Sequence, residues 1–233
     1  AQEGGGRTLE AEPAWVVCAS PNYAPGIPAG LVTLHDSVES ALFEAGRMPF
    51  GATDFTRDVW PIFERITDLQ WVNAGYLDSH GFGSLQDWTQ QRWRERLADA
   101  TTVNEPFRRM VADGFRDPAF TEVQPTLEPQ MYGDAVTMPP NLVEPRQWLA
   151  LTPLQYRHLK AWARGDFTDR RRPVATRLSD VPLDEQPAML DKASMNACLG
   201  GAFHPGVEFP WIARVDWLWT SDLRLRLGST SPD

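Results

Sequence analysis

Apolar positions along this chain follow two spacings. Val59, Ile62, Phe63, Ile66 and Leu69 recur every three or four residues, which marks one buried helical face. Pro61 fits only a first turn, so this helix is predicted from near Asp58 to about Val72, closing in the turn around Gly75. Ser37 is read as the cap of a short helix through Ala45, stopped by Gly46. Ser84 is read as the cap of a helix over 85–100, and a further helix is predicted from Glu105 to Asp113. Thr152, Pro153 and Gln155 form the strongest start signal, a capping box with proline at the first helical position. That helix ends at Gly165 and puts Tyr156, Leu159 and Ala163 on one face. A last helix is predicted over 182–199, stopped by Gly200 and Gly201.

The shorter runs predict strands. Residues 15–19 (WVVCA) and 31–34 (LVTL) are compact apolar stretches. Leu223, Leu225 and Leu227 alternate with Arg224 and Arg226, as in a strand with one buried face. Between these elements lie proline-rich loops, at 21–30 and again at 115–150, where six prolines fall with little periodicity. Residues 1–13 are polar and glycine-rich and predict a flexible lead-in to a single domain over 14–233. The expected class is α+β and loop-rich, with several short strands and a helical region carrying Cys198.

Composition changes this picture in three places. Twenty prolines among 233 residues imply much irregular, ordered chain. Ten tryptophans imply a large aromatic core whose indole N–H groups need acceptors. A formal net charge of −9 repels phosphate backbones, so nucleic acid is not an expected partner. The cluster 170–172 (RRR) reads as solvated surface. No run approaches the length of a membrane span. No segment reads as a signal peptide, and a start at Ala1 is expected of a processed, partial or trimmed product.

Candidate chemistry concentrates in residues 189–211 (MLDKASMNACLGGAFHPGVEFPW). A thiol (Cys198), carboxylates (Asp191, Glu208), a histidine (His204) and an indole (Trp211) fall close together. Asp191 and Ser194, seven and four residues before Cys198, share its predicted helix face. Cys198 reads either as a small buried hydrophobe or as a reactive group. A hydrolytic Cys/His pair is disfavoured, because nothing orients the base and a helix C-terminus opposes a thiolate. His204 and Glu208 read equally as turn and surface residues. Two cysteines and four histidines make no metal-finger spacing, and no metal site is predicted. Phosphate-binding glycine loops, dinucleotide fingerprints, HExxH and GxSxG are missing from the sequence.

The segment 198–211 (CLGGAFHPGVEFPW) resembles the Cys-centred signature of the cysteine tryptophylquinone-dependent amine oxidases, the lysine ε-oxidase and glycine oxidase family. Four other blocks resemble the same family in the same order: WVVCASPNYAPG with LVTLHD, TRDVWPIFERITDLQWVNAG (56–75), MYGDAV (131–136) and LTPLQYRHLKAWARGDF (151–167). The resemblance implies oxidative deamination of a primary amine or amino acid, giving ammonia and hydrogen peroxide. It implies a protein-derived cysteine tryptophylquinone bonded to Cys198, with Asp191, His204 and Glu208 in or near the site. The family's quinone tryptophan belongs to a segment downstream of the cysteine that has no match here. Another chain, or further segments of the same polypeptide, is therefore an expected partner. A non-catalytic scaffold, or a subunit completed by its partner, is the alternative. Secretion is compatible with the family and is marked by no segment in view.

Overall fold

The structure, a computed structural model, describes residues 2–3, 7–8, 14–16, 30–122, 124–131, 149–170, 177–200 and 212–226. Seven α-helices organise the described residues: α1 Leu34–Glu44, α2 Trp60–Asp68, α3 Ala74–His80, α4 Gln91–Ala98, α5 Glu105–Asp113, α6 Pro153–Ala163 and α7 Gln186–Asn196. A π-helical turn, Phe55–Val59, leads into α2, and a 3-10 turn, Leu69–Trp71, leads out of it.

Strands are nearly missing from the described residues. A two-residue pair, β1 Gln2–Glu3 against β2 Arg7–Thr8, is joined only by isolated bridges elsewhere. The α+β expectation is thus corrected to a helical fold with irregular connections. Thr33 explains one misread strand. Its hydroxyl accepts from Asp36 N at 3.2 Å, while its own N–H donates to Asp36 Oδ2 at 2.9 Å. This reciprocal cap starts a helix where the apolar run 31–34 suggested a strand, earlier than the predicted Ser37 start. Of the alternation at 223–227, the described residues carry only a bridge, Trp219 to Leu225, with Leu223 at φ 58°, and Leu227 lies outside the described residues. Trp15 and Val16 carry no strand, and the rest of 15–19 lies outside the described residues.

Loops replace sheets because two buried arginines satisfy their carbonyls. Arg116 donates to the carbonyls of Gln124, Leu127, Pro129 and Leu149. Arg108 donates to those of Asp99, Thr101 and Trp162. Buried backbone oxygens need donors, and a guanidinium supplies several from one side chain. Tyr76 and His80 on α3 likewise hold Glu128, at 2.7 and 3.1 Å.

Two apolar clusters result. The larger surrounds Phe63, with Trp88, Phe115 and Trp162 against it at ring-centroid separations of 5.4, 6.0 and 5.4 Å. The smaller joins Leu34, Val38 and Leu42 of α1 to Met195, Ala213 and Trp219. Cys198 and Trp15 pack at its edge. Helix α6 begins and ends as predicted, with the Thr152–Gln155 capping box and Gly165 at φ 80°. Helix α5 also matches its prediction. Helix α4 starts only at Gln91, because buried Asp87 takes the N–H groups of Gly83 and Thr89 and holds a turn there.

Candidate cofactor-attachment site at Cys198

Helix α7 stops at Asn196, so Cys198 lies just beyond it rather than within a helix running to residue 199. The cause is the N-terminus of α1. The first N–H groups of a helix have no partner within it. Leu34 N–H, at the first position of α1, donates to Cys198 O at 2.8 Å. Gly200 N–H donates to Val32 O at 2.9 Å, and Thr33 bridges Leu199 in antiparallel sense. Ser37 Oγ donates to Gly200 O at 2.5 Å, and Thr33 Oγ1 to Asn196 Oδ1 at 2.9 Å. Residues 198–200 are therefore laid across the start of α1.

Cys198 is a half-buried free thiol. Burial pushes its pKa up, so the sulfur is protonated at neutral pH. Asp191 sits on α7 with both oxygens engaged. Oδ1 accepts from Trp15 N at 3.0 Å, and Oδ2 pairs with Arg224. Ser194 donates back to Leu190 O at 2.9 Å. His204, Glu208 and Trp211 lie outside the described residues. Trp219 is fully buried and donates its indole N–H to Ala213 O at 2.9 Å, with Trp15 tilted against it at 5.8 Å.

A second polar feature escaped the sequence reading. A cleft of about 120 Å³ opens between α1, the 55–59 turn with α2, α6 and α7, and His35, Glu39, Asp58, His158, Lys192 and Asn196 help line it. His35 Nδ1 lies 3.0 Å from Glu39, and Arg57 pairs with Asp58 at 2.6 Å. His158 Nδ1 meets Thr53 Oγ1 at 2.9 Å, and burial holds this imidazole below its ordinary pKa. His35, Asp36 and Glu39 bring donor atoms within 4.8 Å of one another. Asp36 Oδ2 is already taken by Thr33 N–H, Arg65 and Gln155, so the group reads as an ion-pair network. The His35/Glu39 spacing of four was the available signal, but it became legible only once residue 35 was known to be helical.

The fold is shared with a solved lysine oxidase. Two solved structures of the L-Lys ε-oxidase from Marinomonas mediterranea align with TM-scores of 0.60 and 0.61, each at 21% identity, over 91% and 89% of this chain. A third, of the Schiff base intermediate of that enzyme with L-Lys, aligns at 0.60 and 20% identity. Residues 129–231 match the model of the L-lysine epsilon oxidase C-terminal domain. The L-lysine 6-oxidase of the same organism is 26% identical over 240 residues, covering 87% of this chain and 30% of that protein. These matches bear out the resemblance to the lysine ε-oxidase family of cysteine tryptophylquinone-dependent amine oxidases. The chain spans about a third of the length of the relatives it matches.

Proposed function

We propose that this chain is the cysteine-bearing part of a lysine oxidase-like oxidoreductase, with Cys198 as the attachment point of a protein-derived quinone. The reaction would convert a primary amine, dioxygen and water into a carbonyl product, ammonia and hydrogen peroxide. The observation that carries this reading is the presentation of Cys198. Its sulfur is unpaired and half-buried at the edge of an apolar cluster, while its backbone is fixed to α1. A thioether needs a thiol held in place and free of disulfide, so Cys198 fits the group.

The bound group would supply an electrophilic carbonyl that takes the amine and accepts two electrons. The chain's own residues would hold and shield it. Helix α1 fixes residues 198–200, Met195 and Leu34 belong to the apolar cluster behind Cys198, and Arg224 with Trp15 anchors Asp191. Arg224 occupies Oδ2 of Asp191 as an ion pair. That ion pair favours one alternative, a family relative that keeps the scaffold without the chemistry.

The test is peroxide release by the native protein with lysine and other primary amines, beside the Cys198→Ala variant. Release that Cys198→Ala abolishes supports the oxidase. No release from any amine supports the scaffold.

A further inference from the structure

The geometry points to the first turn of α1, acting through Ser37 and Gly200, as the device that sets the position and access of the Cys198 sulfur. This rests on the proposed attachment role for Cys198, but the placement itself stands on contacts that need no cofactor.

Three features converge. Residues 198 and 200 each share a backbone hydrogen bond with 32–34, at 2.8 and 2.9 Å. Ser37 is buried, and its hydroxyl closes the far end of the segment by donating to Gly200 O at 2.5 Å. Gly200 has no room for a side chain. A Cβ there would lie 1.9 Å from Thr33 O and 2.5 Å from Ser37 Oγ. Glycine is therefore required by close approach of two backbones, without any left-handed φ. Since Cys198 is two residues from this contact, lifting Gly200 off α1 would swing the side chain of Cys198 away from the smaller apolar cluster. Ser37 and Gly200 are positioning residues, since neither touches a reacting atom.

Ser40 provides the control. It is equally buried, one turn further along α1, but bonds to Glu44 and Leu154 N instead. The native protein, Ser37→Ala and Ser40→Ala would be compared by melting temperature, by peptide-resolved mass of Cys198, and by maleimide alkylation of its free fraction. The expected result is a similar fall in melting temperature for both variants. Only Ser37→Ala should change Cys198, with several-fold faster alkylation and a smaller crosslinked fraction. Equal alkylation rates in Ser37→Ala and Ser40→Ala would overturn the inference. If the wild-type protein carries no crosslink, the attachment role fails, and the alkylation comparison still decides the positioning role.

Discussion

Glu128 shows how a single side chain can hold an irregular segment. Burial alone would raise its pKa, but hydrogen bonds from His80 and Tyr76 hold it below the usual carboxylate range. Removing it strands a buried phenol and imidazole, so Glu128→Ala should cost about 1–3 kcal/mol by denaturant unfolding. A loss within measurement error would show that the network contributes nothing. His158 carries a separate pH signature. Its folded pKa is lowered by burial and by Arg57 and Arg157, against the opposing pull of Asp58 and Glu39. The unfolded chain therefore binds the proton more readily, near the ordinary value of about 6.5. The stability it contributes is present above that value and lost as pH falls through the depressed one. Between pH 7.5 and 5.5, the wild-type melting temperature should fall further than that of His158→Gln. Parallel curves would remove His158 from the account.

At the scale of elements, arginines take over work that sheets usually do. Arg108 is fully buried and feeds three carbonyls, and Gly165 lies so close that a Cβ would stand 2.9 Å from its guanidinium. Arg108→Met keeps an unbranched stem but strands those oxygens, and should cost at least ~3 kcal/mol by denaturant unfolding. A smaller cost would mean that water replaces the guanidinium. The sequence carried α6 well, because Thr152, Pro153, Gln155 and Gly165 are local signals that packing left alone. Helix α5 was legible for the same reason, with Pro106 in its first turn. Leu31, Val32 and Leu34 misled, since a compact apolar run is buried equally well as a strand or as the entry to a helix. Helix α3 was missed although Asn73 caps it, accepting from Gly75 and Tyr76 N–H, because Gly75 read as a stop. The arginine-to-carbonyl pins span separations from 7 to 54 residues and leave no periodic trace.

Across the whole molecule, α1 links the two apolar clusters to the candidate site. Its inner face supplies Leu34, Val38 and Leu42 to the smaller cluster, and its first turn receives residues 198–200. It also packs on α6, whose Gln155 reaches back to Leu31 O and Asp36. Damage to the smaller cluster should therefore reach Cys198, while equal damage to the larger one should not. Leu42→Ala and Leu97→Ala each empty a fully buried site, at about 2–5 kcal/mol. Leu42→Ala alone should speed Cys198 alkylation. Equal acceleration in both would mean that access follows global stability. Cys198 itself was legible as the candidate from its neighbours in sequence. The cleft beside α1 was not, because its side chains come from four separate segments.

The central claim is that Cys198 is the attachment point of a quinone. The most direct measurement is peptide-resolved mass spectrometry of the native protein under denaturing, reducing conditions, with a redox-cycling quinone stain alongside. The account predicts a stain-positive species in which the Cys198 peptide is joined through sulfur to an oxygenated tryptophan. A stain-negative protein, with Cys198 recovered as a single alkylated peptide of unmodified mass, would contradict it.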